Sequence, residues 1–368
     1  MGDRGDRFEL RLARAAELVE RAGLAGLLVT PSADLVYLAG YDPPPLERLT
    51  CLVVRPGSDP ALVVPELERP RALAVSTGAR VETVGWRDTE DPYDLVGRLL
   101  WPTGAYGVTD RTWAAHVLGL QAAAPGVELV PASRAVAGLR AVKDAEEVAL
   151  LSAAAHAADR TFARVCDNGL GGRKEVDVAA TLGELLVQEG HDSVAFTIVG
   201  SGPNGASPHH EPDGREIGPG DPVVLDFGGR VGGYCSDITR TVAVDEPPDG
   251  FVEVYEAVKE AQERAFRTVK PGVPAEDVDR AARAVVEAAG FGDRFLHRTG
   301  HGIGLDEHEP PYIVAGNREA LEPGMSFSIE PGIYLEGRFG VRIEDIVVVT
   351  EDGATRLNEA PRDLRAVR

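Results

Sequence analysis

Apolar residues recur with helical spacing near the start of the chain. Across residues 7–22, Phe8, Leu12, Ala15, Ala16, Val19 and Ala22 share one face, and Arg11, Arg14, Glu17 and Arg21 lie off it. That spacing predicts a helix, and Gly23 supplies its stop. Short β-like runs follow: GLLVT, DLVYLAG, LTCLVV, ALVVP, RVETVGW, AYGVTD and VELVP. Helix-like stretches interleave with them at 67–77, 91–100 and 111–124. Alternating strands and helices predict an α/β domain over residues 1–135, with a structural or dimerising role.

GLRAVK marks a boundary, and residues 136–368 are expected to form a second, α+β domain. Asp144 followed by Glu147 fits the pattern of a helix cap, ahead of an Ala- and Leu-rich helix. Further helices are expected near 174–190, 252–269 and 275–289. PVVLDFGGRVGGYCSDITRTVAV and MSFSIEPGIYLEGRFGVRIEDIVVVT each read as a β-hairpin. Two helix-plus-hairpin blocks suggest an internal duplication and a pseudo-twofold domain.

Each hairpin carries two acids in apolar surroundings: Asp226 and Asp237 in the first, Glu330 and Glu344 in the second. A carboxylate among Val, Leu, Ile and Phe is costly to bury unless it is paired or metal-bound. Two divalent ions would balance the four acids in formal charge. His301, in RTGHGIGLDEHEPP, offers a nitrogen ligand. A set this rich in oxygen suits Mn²⁺, with Co²⁺ or Zn²⁺ as alternatives. Such ions polarise carbonyls, so amide hydrolysis is the expected chemistry. Taken singly, each residue has a plainer reading as a turn, edge or structural residue; their joint occurrence carries the inference. The Gly- and Pro-rich loop at 200–221 adds the adjacent pair His209 and His210 just before the first acidic strand.

Composition narrows the partners. The 368 residues are 43% hydrophobic and 26% charged, with a formal net charge of −21. That charge argues against a sequence-independent hold on nucleic acid or an anionic membrane. The cysteines, Cys51, Cys166 and Cys235, are few and far apart and form no CxxC, so neither a disulfide framework nor a thiolate metal site is expected. The N-terminal segment is charged, without an apolar h-region, and no run approaches a membrane span. A cytoplasmic location is expected.

The motifs LDFGG, GYCSDITRT, HRTGHGIGLDEHEPP, IEPGIY and VRIEDIVVVT, with DLVYLAGY and LRAVKDAEEVALL before them, resemble the pita-bread metallopeptidases. They fit the proline-peptidase branch, Xaa-Pro dipeptidase (prolidase) and Xaa-Pro aminopeptidase, and more distantly methionine aminopeptidase. The resemblance implies a dinuclear centre acting on the bond before proline. In it Asp226 binds one metal, Asp237 and Glu344 bridge, and His301 and Glu330 bind the other. Glu330 also becomes the proton shuttle, and His209 and His308 contact the substrate. His297 and Arg342 would support the site or touch substrate. Arg298 and Arg338 are either surface charges or partners for a substrate carboxylate. A homodimer is implied too. The compact EPGIYLEGRFGVRIE connection leans the reading to a dipeptidase. The alternatives are an aminopeptidase taking longer peptides, a metal-free binding module and creatinase-like chemistry.

Overall fold

The apolar runs of the first half pair into one six-stranded sheet. The computed structural model describes residues 3–75, 81–136 and 138–368. Its strands are β1 (Gly26–Val29), β2 (Cys51–Val54), β3 (Ala61–Pro65), β4 (Glu82–Trp86), β5 (Gly104–Val108) and β6 (Val127–Pro131), in the order β4-β3-β2-β1-β5-β6. β2 runs antiparallel to β1 and β3, and the remaining pairs are parallel. Every residue of β1, β2 and β3 is buried, which is why those runs are continuously apolar rather than alternating. The helices are α1 (Asp3–Arg21), α2 (Ala33–Ala39), α3 (Arg69–Val75), α4 (Pro92–Leu99), α5 (Ala114–Ala123) and α6 (Ser133–Val136).

One expected strand is a helix. DLVYLAG forms most of α2, burying Leu35, Leu38 and Ala39 at helical spacing. Gly40 ends it in the left-handed region (φ 65°), its N–H donating to the Val36 carbonyl. The segment's β-branched and aromatic content suits a strand, but the terminating glycine is the better signal. Residues 76–77 of the expected helix and residue 80 of the expected strand RVETVGW lie outside the described residues.

The chain divides into two compact units, Met1–Arg140 and Ala141–Arg368. The first runs past residue 135 because Leu139 is buried and Arg140 Nε bonds Asp34 at 2.8 Å.

The second unit opens with α7 (Ala145–Asp167), whose capping box is complete. Asp144 Oδ1 accepts from the Glu147 amide at 2.9 Å, and Glu147 Oε2 accepts from the Asp144 amide at 2.8 Å. Then come α8 (Glu175–Gln188), β7 (Ser193–Ser201), β8 (Pro222–Val231), β9 (Tyr234–Cys235) and β10 (Ile238–Val244). The second block repeats the plan with α9 (Phe251–Thr268), α10 (Ala275–Ala288), β11 (Gly300–Gly302), β12 (Glu309–Ile313), β13 (Ser326–Ile329), β14 (Gly332–Leu335), β15 (Phe339–Arg342) and β16 (Asp345–Val349). β17 (Ala354–Arg356) and β18 (Ala366–Val367) close the chain. The sheets run β18-β10-β8-β7, with β9 on β8, and β12-β11-β13-β16-β17; β14 and β15 form a separate ribbon.

The duplication extends to backbone detail. At the start of α8, the Gly172 and Glu175 amides donate to Ile217 and Arg215; at the start of α10, Gly272 and Ala275 donate to Leu321 and Glu319. Each helix pair covers one sheet. Phe162, Leu182 and Leu185 pack with Leu225, Phe227 and Val242, while Phe251, Val258 and Val278 pack with Phe327, Ile329 and Val347. Among the described residues no helix is long and apolar enough to cross a membrane.

Candidate metal centre

Strand register brings the acids together. Asp226, in β8, faces Thr239 of β10, and Asp237 sits at the break just before β10. In the second block Ile329 faces Asp345 and Gly332 faces Arg342, which leaves Glu330 opposite Glu344 at a break in both strands. Thus Asp237, Glu330 and Glu344 occupy strand junctions rather than strand interiors. His301 is the middle residue of β11, beside β13. Asp226, Asp237, His301 and Glu344 are buried, and Glu330 is half-buried.

His301 Nε2 lies 3.2 Å from Glu330 Oε1 and 3.7 Å from Asp237 Oδ2. Its Nδ1 is 3.1 Å from the Gly302 carbonyl, which can only accept. Nδ1 therefore donates, which leaves Nε2, on the side of the acids, as the ring atom that a cation would take. Ser328 Oγ accepts from the His301 amide and donates to Glu330 Oε1, both at 3.0 Å. Thr239 Oγ1 donates to Glu344 Oε2 at 2.6 Å.

A polar chain braces the acids from behind. Arg342 donates through Nη2 to Asp226 Oδ2 (2.6 Å), through Nη1 to the Tyr334 hydroxyl (2.9 Å) and through Nε to Thr239 Oγ1 (3.1 Å). Tyr334 in turn donates to His297 Nε2 at 2.8 Å, and His297 Nδ1 donates to the Arg298 carbonyl at 2.7 Å. Burial pushes Tyr334 up to about 12 and lowers His297, so the phenol stays protonated and the imidazole neutral. The structure thus places His297 and Arg342 behind the acids. Tyr334, which links them, was missing from the sequence reading.

These residues border a cavity of about 600 Å³, into which His209, His308, Arg298, Phe196, Ile198 and Pro208 also project. His308 and His301 have ring centroids 3.9 Å apart. Arg298 Nη2 lies 3.3 Å from His308 Nδ1. A guanidinium can only donate, so Nδ1 accepts and Nε2 carries a hydrogen. Burial, then the neighbouring His301 and Arg298, push His308 down to about 4. His210 turns away to Glu175, and Arg338 reaches the Asp249 carbonyl on the surface. β7, with Phe196 and Ile198, was also missed, although the alternation of Val194, Phe196 and Ile198 was a usable signal.

Residues 149–351 match the model of metallopeptidase family M24, and residues 11–142 match the creatinase/prolidase N-terminal domain. The chain belongs to metallopeptidase family M24. It is 50% identical to a probable dipeptidase PepE of Mycobacterium tuberculosis over 365 residues, covering 98% of this chain and 96% of that one. It is 37% identical to an Xaa-Pro dipeptidase of Lactobacillus helveticus over 343 residues, 90% of this chain and 92% of that one. Among solved structures, the prolidase of Thermococcus sibiricus superposes with a TM-score of 0.93 at 39% identity, over 98% of this chain and 99% of that one.

M24 membership implies divalent metal ions, and the side chains fit them. Asp226 Oδ1, Asp237 Oδ1 and Glu344 Oε1 are buried, and among the described residues no hydrogen bond reaches them. Each such oxygen costs about 1–3 kcal/mol if left unmatched. His301 with the carboxylates of Asp226, Asp237, Glu330 and Glu344 offers a nitrogen- and oxygen-rich set suited to divalent cations.

Charge in this M24 centre divides unevenly. Burial, then the other carboxylates, raise Asp237 and Glu344 well above the ordinary range; burial also raises Asp226, against the pull of Arg342. Burial pushes Glu330 up too, but the hydrogen bond from His301 and the nearby positive charge, Arg342 included, bring it down to about 2. Acids with raised pKa stabilise the metal-free fold below the ordinary carboxylate range, and that contribution is lost as pH rises through the raised values. Metal must displace those protons. The Tm gain on adding a divalent ion is therefore expected to grow as pH increases from about 5 to about 8. Differential scanning fluorimetry at several pH values checks this; a gain that shrinks with pH contradicts it.

Proposed function

We propose that this protein hydrolyses the bond before proline in Xaa-Pro dipeptides with the help of two divalent ions, Mn²⁺ favoured over Co²⁺ and Zn²⁺. The observation that carries the reading is the trio of buried carboxylate oxygens without partners on Asp226, Asp237 and Glu344. Its setting in an M24 chain, similar over most of its length to proteins named Xaa-Pro dipeptidase, supports the substrate class.

Asp226, Asp237, His301, Glu330 and Glu344 would hold the ions. When bound, divalent ions polarise a carbonyl and make water acidic enough to attack near neutral pH. Glu330, held by Ser328, takes the proton from the attacking water and passes it to the leaving nitrogen. His308 turns its Nε2–H toward the carbonyl oxygen of the scissile bond, and His209 contacts the substrate from the opposite loop. Phe196, Ile198 and Pro208 offer an apolar wall to the substrate's rings and side chains. The bond before proline carries no N–H, so an apolar wall leaves no donor unmatched there. A homodimer formed through the first unit, acting in the cytoplasm, belongs to the same reading; light scattering tests the dimer.

The alternative is an aminopeptidase working on longer peptides. Assays on Xaa-Pro dipeptides and Xaa-Pro-containing tripeptides, run in parallel, separate the two. Cleavage of dipeptides but not tripeptides is expected; the reverse preference overturns the dipeptidase reading.

A further inference from the structure

The loop that carries His209 is gathered onto one buried carboxylate. Glu175, the first residue of α8, has no exposed surface. Its Oε1 accepts from the Ser201 amide (2.7 Å), the Ser201 hydroxyl (2.5 Å) and Asn204 Nδ2 (3.2 Å). Its Oε2 accepts from His210 Nε2 (2.7 Å), Asn204 Nδ2 (3.1 Å) and the Asp213 amide (3.3 Å). Ser201 and Asn204 lie on the outgoing limb of the loop; His210 and Asp213 lie on the returning one. The side chains of Glu175, His210 and Asp213 bring ligand atoms within 4.8 Å of one another, as a metal site would. Both Glu175 oxygens are already filled by N–H and O–H donors, however, so the cluster is a hydrogen-bonded hub rather than a cation site.

His209 sits between the two limbs. Its side chain is exposed and borders the cavity, and among the described residues no hydrogen bond reaches its ring. Its neighbour His210 is tied at both ends, by its amide to the Ser207 carbonyl and by its ring to Glu175. The placement of the His209 imidazole therefore depends on the backbone of a loop that Glu175 pins.

We infer that Glu175 and His210 are positioning residues that hold the loop so that His209 faces the reacting bond. The inference rests on the reading of His209 as a substrate contact. A Glu175→Gln change keeps the shape but turns an amide NH₂ toward groups that donate. It is expected to lower kcat about 10-fold, within the range seen when groups that orient active-site residues are changed. Metal content should stay near that of the unaltered protein, while Tm should fall, because the buried hub loses acceptors for its donors. The same change added to His209→Ala should cost nothing further, because the group it positions is gone. His210→Gln, which keeps an N–H for Glu175, should retain most activity, whereas His210→Leu should not.

The test is this double-mutant cycle on the full, Mn²⁺-loaded protein with an Xaa-Pro dipeptide, run with Glu175→Gln and again with His210→Leu in case the first variant folds poorly. Non-additive losses at constant metal content support the inference. Additive losses, or loss of metal in the His210→Leu protein, overturn it while leaving the dipeptidase reading intact. An inactive unaltered protein, or a His209→Ala protein with full kcat/KM, removes the reading beneath it and overturns the inference as well.

Discussion

Asp237→Asn is expected to reduce hydrolysis by about 10³-fold or more, because on the proposed reading it removes a ligand from a centre worth several kcal/mol of charge stabilisation. The metal-free variant should nonetheless be no less stable than the unaltered metal-free protein above about pH 7. Asp237 is buried among Glu344, Asp226 and Glu330, and burial and repulsion hold its pKa well above the ordinary range. Without a cation its charge is a liability, and Asn keeps its size without the charge. Metal should therefore stabilise the variant much less than the unaltered protein. Elemental analysis, thermal melts with and without metal, and dipeptide hydrolysis check the three parts. A variant with normal metal content and activity would remove Asp237 from the centre.

The largest stability loss is expected at Arg240. It is fully buried, and all five of its N–H groups are used. They reach the carbonyls of Pro361, Thr239, Glu344 and Ala360 and the Asp345 carboxylate, the last at 2.6 Å. Arg240→Met removes the shortest of the ion pairs to the buried Asp345 carboxylate, leaving Arg356 at 3.2 Å and Arg362 at 3.8 Å, and strands several carbonyls. Breaking one partner of a buried pair costs about 3–5 kcal/mol, so urea unfolding should show a loss of that size. Arg240→Lys should recover only part of it, because an ammonium has three donors and no planar fork. Unfolding free energy within about 1 kcal/mol of the unaltered value for Arg240→Met would contradict this role. The same residue holds the Glu344 carbonyl, so the variant should also lose activity.

What was legible in the sequence follows from physics that acts locally. The acids stood out because carboxylates are rare inside apolar strands, and register then brought them together. The cap at Asp144 and Glu147 was legible because its partners are three residues apart. DLVYLAG is ambiguous because its Val, Tyr and Leu suit a strand as well as a short helix, and only Gly40 tips it to a helix. Arg240, Tyr334 and Glu175 were not legible as supports. Their roles lie in contacts across the fold, such as that between Arg342 and Asp226, 116 positions apart. A residue's identity shows that it can donate or accept, but only the packed chain shows to whom. β7 was overlooked because its half-exposed residues lack the continuous apolar run that marks β8.

The decisive measurement is a metal titration of chelator-stripped protein, following hydrolysis of an Xaa-Pro dipeptide and bound metal in the same samples. Activity should be absent at the start, should rise with added Mn²⁺ and should saturate near two ions per chain. Full hydrolysis by protein shown to hold no divalent ion, or saturation with metal and no hydrolysis of any Xaa-Pro substrate, would contradict a metal-dependent peptidase built on Asp226, Asp237, His301, Glu330 and Glu344.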